Sequence, residues 1–447
     1  MKKFVSTIQN IWRIEELRQR ILLTLGMILI YRFGSYVVLP GVDAQALAES
    51  RGRQDQSGIL ALINIFAGGA FTRASIFGLG IMPYITASII IQLLGMAVPY
   101  FQKLQKEGES GRKKINQYTR FLTVGVTAVQ APGYIATQIS NFAGAVPQQS
   151  VYWTFQTILI LVTGTIFVMW LGERITDRGI GNGISLLIMV GIISRLPFAF
   201  GSELLSRWES HGGGLIIFLI ELVFFLGVII SSILLVQGTR RVPVQFAKKI
   251  VGNKQYGGKR EYIPLKVNAA GVMPIIFAQA IMFIPAAVSQ MGSGKSGGFM
   301  SAFTNHFSFW YNFIFAILII LFTYFYTAIM INPNQLSDDL KRNGGFIPGV
   351  KPGKKTAEFL DQVMSRITLP GSIFLALVAI MPAFAIRLGI ANEFANFYGG
   401  TSLLILVGVV LDTLQQIESY LLNRHYDGLM KTGRIKGRSS AAMQVQS

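Results

Sequence analysis

The sequence predicts an all-α polytopic membrane protein with ten transmembrane helices, and three observations predict it. Of its 447 residues, 51% are hydrophobic and only 14% are charged, against about 25% charged in an ordinary soluble domain. Ten apolar windows start near Ile21, Ile76, Phe121, Trp153, Gly181, Leu215, Val267, Tyr311, Ile367 and Thr401. Most approach the roughly 20 residues that an apolar layer of about 30 Å requires. Finally, the 40 basic residues, whose excess over 21 acidic ones gives a formal charge of +19, crowd into alternate loops. In a soluble protein such a charge would suggest nucleic acid; here its placement reports orientation.

Residues 1–20 contain Lys2, Lys3, Arg13, Glu15, Glu16, Arg18 and Arg20 and read as an amphipathic surface segment rather than a cleavable signal peptide. The stretch 59–94, ILALINIFAGGAFTRASIFGLGIMPYITASIIIQLL, is too long and too broken for one helix. Gly68-Gly69 and Arg73 interrupt it, so Ile59 to Phe71 reads as a short re-entrant or plugging helix and Ile76 to Pro99 as the second span. Irregular backbone at membrane depth persists only where protein or water covers it, so the bundle must have an interior.

The loop after span 2 holds Lys103, Lys106, Arg112, Lys113, Lys114 and Arg120. The loop after span 6 holds Arg240, Arg241, Lys248, Lys249, Lys254, Lys259, Arg260 and Lys266. That after span 8 holds Lys341, Arg342, Lys351, Lys354, Lys355 and Arg366. Asn141 to Tyr152 has no charge and the loop after span 7 has only Lys295. The asymmetry places both termini in the cytoplasm, which an even number of spans requires. Span 5 reads as short, from Gly179 to Ser194 between Arg178 and Arg195, and opens with Gly179, Gly181 and Gly183. Such a span is either packed closely in a bundle or set against a pore.

Little here can carry chemistry. With no cysteine there are no disulfides, thiolate metal sites or thiol catalysis. His211, His306 and His425 fall in loops or the tail, and no zinc-protease or serine-hydrolase motif occurs. Gly292-Ser293-Gly294-Lys295-Ser296 imitates a phosphate-binding loop but has Ser289 where the first glycine belongs and no strand before it. Neither a cofactor nor an enzymatic activity is therefore expected. Glu221 and Asp412 lie at membrane depth with no evident partner; each is either a coupling-ion site or a group facing a polar seam.

Ile81 and Ile85, and likewise Ile184 and Ile188, are four apart and share a helix face. They face lipid or a packed seam in the simplest case. If they converge, branched apolar side chains offer an ion no hydration and close a pore by dewetting. Gln92 shares the face of Ile81, and Asn182 precedes Ile184; amides there are either interhelical glue or a latch. From these residues alone, a secondary transporter of a small solute leads and a channel follows.

Ordered strings then carry a resemblance. They are RFGSYVVLPGVD at 32–43, FAGGAFTRASIFGLGIMPYITASIIIQLL at 66–94, KEGESGRKKINQYTR at 106–120 and GTIFVMWLGERITDRGIGNGIS at 164–185. PLKVNAAGVMP at 264–274, GFIPGVKPG at 345–353 and GGTSLLI at 399–405 follow. The chain resembles the SecY family, channel subunits of the bacterial Sec protein translocase, over nearly its whole length. The resemblance implies a clamshell of two five-helix, inverted-repeat halves at 21–200 and 201–421, flanked by cytoplasmic segments 1–20 and 422–447. It implies a channel in the bacterial cytoplasmic membrane that passes unfolded preproteins and releases transmembrane segments sideways into the lipid bilayer. Ile81, Ile85, Ile184, Ile188, Ile276 and Ile405 would form the pore ring. The plug would run from Ile59 through Asn64, Phe66, Gly68 and Gly69 to Arg73. Gln92 and Asn182 would belong to a lateral gate of spans 2 and 3 against 7 and 8, biased open by signal sequences. Loops 238–266 and 332–366 would dock the SecA motor or the ribosome through Arg240, Arg241 and Lys351, with SecE and SecG as membrane partners. The family usually has arginine where Lys351 stands, and lysine lacks the planar bidentate fork.

Overall fold

The computed structural model describes residues 12, 14–51, 64, 66–140, 142, 144, 146, 150–209, 214–246, 249–251, 254–256, 260–279, 281–282 and 308–432. Its first helices are α1 (Glu15–Gly34), α2 (Ala44–Arg51), α3 (Met82–Ala97), α4 (Pro99–Lys106) and α5 (Glu109–Ile135). Then come α6 (Val151–Arg178), α7 (Gly183–Glu209) and α8 (Gly214–Gln237). Strands β1 (Thr239–Phe246), β2 (Lys249–Val251), β3 (Lys254–Tyr256) and β4 (Arg260–Lys266) follow, and residues 273–279 are helical. The rest of the chain supplies α9 (Phe309–Met330), α10 (Pro333–Arg342), β5 (Gly345–Phe346), α11 (Lys354–Arg387), α12 (Asn392–Ala395) and α13 (Gly400–Thr432).

Among the described residues, α6, α7, α8, α9, α11 and α13 are long and apolar enough to cross a membrane. A seventh crossing results if α3 and α4, bent by 101° at their junction, form one broken span. That is fewer than the ten windows. Part of the reason is visible in α5, whose first turns carry Glu109, Arg112, Lys113 and Lys114. It also carries a buried polar stripe, Thr119, Thr123 and Thr127, each hydroxyl donating to the carbonyl four residues back. A helix whose polar groups are satisfied internally can be covered without being apolar.

Three expectations need correction. Span 5 is not short: α7 runs through Arg195 and Pro197 to Glu209, about 40 Å at the helical rise. Its glycines serve packing, since a Cβ on Gly183 would strike the Gly172 carbonyl and Ile175 of α6. Residue 20 is no boundary, because α1 starts at Glu15 and continues unbroken. Nor is the chain all-α. β4 pairs antiparallel with β1 from Thr239↔Lys266 to Gln245↔Arg260, and β5 pairs with β1 at Gln245↔Phe346. The basic loops on either side of spans 7 and 8 thus fold as one unit over Val242, Val244, Leu265, Leu340, Ile347, Leu360 and Met364. Strand alternation turns Val242 and Val244 inward and leaves Arg241 and Pro243 outside.

Candidate functional site in the centre of the bundle

Residues 66–81, leading into α3, form little regular structure, yet they are largely covered. Asn64 and Phe66 are helical, residues 67–81 are turns except for Ser75, which forms an isolated antiparallel bridge with Val38, and Ile59 lies outside the described residues. Ala70, Ala74 and Ser75 are fully buried, and Phe66, Ala67, Phe71, Phe77 and Leu79 nearly so. A buried backbone must find partners for its N–H and C=O groups, and here they come from several elements. The Leu39 N–H donates to the Ala74 carbonyl and the Ile76 N–H to the Val37 carbonyl. The Tyr134 hydroxyl of α5 donates to the Phe71 carbonyl at 2.7 Å. The Asn64 Oδ1 accepts from the Thr72 N–H and hydroxyl. Gly68 and Gly69 have φ of +60° and +85°, left-handed backbone that glycine adopts without strain. On the α7 side, a Cβ on Gly191 would strike the Phe66 carbonyl, so helix and segment meet backbone to backbone.

The six isoleucines separate into two groups. Ile81, Ile188 and Ile405 are buried in one apolar cluster, with Ile85 and Ile184 packed against it. Ile276 is half-buried and its neighbour Ile275 occupies that cluster instead. Ile81 caps the start of α3, and its carbonyl accepts from the Ile85 N–H. Ile184 also lies close to Gly172 of α6, where a Cβ would approach its Cγ1 to 2.9 Å.

Gln92 and Asn182 have different partners. Gln92 accepts from the Tyr326 hydroxyl of α9 at 3.2 Å and donates to Ser88 at 3.3 Å, so it links the second and eighth windows. Asn182 is exposed, and its Oδ1 accepts from the Ser185 N–H at the start of α7, the geometry of an N-cap. The nearby Gly181 N–H donates to Gln416 of α13 at 2.8 Å.

Glu221 is not alone. The Arg207 Nη2 donates to it at 2.6 Å and to the Gly389 carbonyl at 2.6 Å, while the Arg207 Nε donates to Glu203 at 2.9 Å. The second Glu203 oxygen accepts from the Ala391 N–H, and the Tyr398 hydroxyl donates to the Glu221 backbone carbonyl. Burial, reinforced by Glu221 and Glu203, holds the Tyr398 phenol above its ordinary pKa. A paired, closed-in carboxylate is a poor coupling-ion site, and Asp412 is exposed on α13. Arg207 escapes a sequence reading that ends the span at Arg195; its signal is an arginine 14 residues before an intramembrane acid. Tyr326 and Gly191 escape it too. Tyr326 is one of several polar residues close together, with Thr323, Tyr324 and Thr327, and Gly191 is a small residue in an apolar helix; nothing local marks the partner of either.

Arg240 and Arg241 are exposed on β1 at the base of the sheet unit, opposite Leu265 and Pro264. Lys351 is exposed in the turn before α11, where its carbonyl accepts from the Thr356 hydroxyl. The three cations sit on a folded platform rather than on loose loops. The phosphate-loop imitation at 292–296, His211 and His306 lie outside the described residues, and no group of metal-binding side chains occurs among the described ones.

The SecY family model matches residues 75–414. The protein translocase subunit SecY of Mycobacterium bovis is 41% identical over 450 residues, covering 96% of this chain and all of the relative. A solved protein-conducting channel superposes with a TM-score of 0.61 at 18% identity, covering 94% of this chain and 95% of the other. Sec61 in a canine ribosome-channel complex superposes with a TM-score of 0.57 at 17% identity and the same coverage.

Proposed function

The chain belongs to the SecY family and is a protein-conducting translocation channel, and from that premise we propose how its residues conduct and seal. The ten apolar windows form two five-helix halves related as an inverted repeat, the first ending with α7 at Glu209 rather than at residue 200. Ile81, Ile85, Ile184, Ile188, Ile276 and Ile405 form a constriction that excludes ions by withholding hydration and yields to a sliding peptide, since it makes no directional bonds. The segment from Ile59 to Arg73 is the plug. Transmembrane and signal segments leave sideways through a gate in which Gln92 and Tyr326 form one latch, and signal sequences shift the gate population by binding its open form. The transporter of a small solute, with its coupled carboxylate, is set aside.

The observation that carries this reading is the stretch 66–81: irregular, largely buried, and fastened to α5 and α7 by side-chain and backbone contacts. A bundle that encloses such a segment has a space that the segment fills. The multi-pass chain lies in the cell membrane with its basic platform and both termini cytoplasmic. Arg240, Arg241 and Lys351 then face the ribosome, in keeping with the ribosome-bound Sec61 neighbour, or the SecA motor. SecE and SecG complete the membrane complex. Planar-bilayer conductance tests the seal: Ile85→Gly and deletion of residues 60–72 raise the resting ion leak, and unchanged conductance in both would remove the ring and plug assignments.

A further inference from the structure

Three arginines from three separate elements converge on Gly68-Gly69. Arg32 of α1 donates through Nη1 to the Gly68 carbonyl at 2.9 Å and through Nη2 to the Tyr36 hydroxyl at 3.1 Å. Arg73 donates through Nη2 to the same carbonyl at 2.8 Å and lies over the Tyr36 ring, 4.0 Å from its centroid. Arg195 of α7 donates to the Thr72 hydroxyl at 3.4 Å. A Cβ on Gly69 would sit 2.7 Å from Arg195 Nη2 and 2.8 Å from Arg73 Nη2, so these two like charges are near neighbours. Glycine at 69 leaves room for both of these guanidinium groups, and glycine at 68 for that of Arg32.

None of the three forms an ion pair among the described residues; their partners there are neutral carbonyl, hydroxyl and ring groups. Glu393 acts on Arg195 through space without bonding to it. The Arg73 Nε is buried and lacks an acceptor. A guanidinium carries five donors in a planar fork suited to oxyanions, and only some of these are spent. Burial works against the Tyr36 phenolate, but hydrogen bonding from Arg73 and the charges of Arg32 and Arg73 outweigh it and lower the phenol pKa. The local field therefore favours negative charge.

We propose that Arg32, Arg73 and Arg195 form a binding site for an oxyanion of the phosphate class, supplied either as free phosphate or as a phospholipid headgroup. The bound group bridges α1, the 68–73 turn and α7, and so holds that turn in place. It satisfies the buried Arg73 donor and offsets the repulsion between neighbouring guanidiniums. This site does not depend on the turn acting as a plug.

The test uses the full chain purified in neutral, phosphate-free detergent. Calorimetric titration with inorganic phosphate, and retention of phosphatidylglycerol against phosphatidylcholine by native mass spectrometry, separate the two sources. Saturable phosphate binding without lipid preference identifies the free anion; preferential retention of phosphatidylglycerol identifies the headgroup. In either case Arg73→Gln and Arg195→Gln weaken binding by about tenfold or more, the loss expected when a bidentate partner goes. Arg195→Lys keeps the charge without the fork and weakens binding less; it decides the matter if the glutamine variants do not fold. Absence of both kinds of binding, or unchanged binding in Arg195→Lys and in every glutamine variant that folds, overturns the proposal.

Discussion

Replacing Arg207 by methionine isolates the energetic role of the ion network that joins α7, α8 and the turn after α11. Arg207 bonds Glu203, whose side chain is 1% exposed, and Glu221, at 8%. The substitution conserves much of the aliphatic volume and leaves two buried carboxylates without their cation. Breaking a buried pair by removing one partner costs about 3–5 kcal/mol, most of it the penalty of the stranded charge. The lost bond to the Gly389 carbonyl adds about 1 kcal/mol. If stranded charge dominates, neutralising both acids must restore stability. The triple variant Glu203→Gln, Arg207→Met, Glu221→Gln is therefore more stable than Arg207→Met alone, by about half the loss or more. The Glu203→Gln change keeps an acceptor for the Ala391 N–H, so that bond survives. Unfolding in mixed detergent, followed by the helical circular dichroism signal, reads the differences. A single variant within about 1 kcal/mol of the parent, below the range for a broken buried pair, would refute this account of Arg207. A triple variant no more stable than the single one would refute it equally.

Other consequences are direct. Tyr326→Phe deletes the bond to Gln92 and biases the α3–α9 seam toward opening by about 1 kcal/mol; spin-label distances across the seam lengthen or broaden, and an unchanged distribution counts against a latch there. Gly183→Val drives a side chain into the Gly172 carbonyl and Ile175, costing about 1–3 kcal/mol by overpacking, read by the same unfolding titration; a neutral result means that α6 and α7 are not in backbone contact. Lys351→Glu lowers motor-driven transport more than ribosome-coupled insertion, and equal loss in both assays rules out a motor-specific contact.

Periodicity and charge make much of this fold legible. The windows from Trp153, Leu215, Tyr311 and Thr401 each lie within a long helix, because continuous apolar runs leave the backbone no better solution than a helix in lipid. The covered, irregular stretch around Gly68-Gly69 is legible too, since diglycine and Arg73 break any span. What the sequence conceals has a common cause: a local feature is seen without its partner. Arg195 resembles the end of span 5, but Thr72 and the 68–69 turn give its charge a place inside the structure. Glu221 looks solitary because its cation stands on the further turns of α7, beyond that apparent end. The alternation in Thr239–Phe246, TRRVPVQF, is a strand signal, yet the basic residues around it suggest an extended loop. The join between β1 and β5 depends on a pairing across about a hundred residues, which no local pattern encodes. Family resemblance supplies the cargo, which neither hydropathy nor spacing specifies.

The central claim is that a polypeptide passes between the isoleucines, and the absence of cysteine allows a direct test. Ile85→Cys provides the only thiol, and crosslinking is attempted to a preprotein arrested in transit by a folded C-terminal domain. The account predicts an adduct that forms with the arrested chain and not with the resting channel. Absence of the adduct, while a control cysteine placed in the 141–150 loop remains reactive, would contradict passage through the ring.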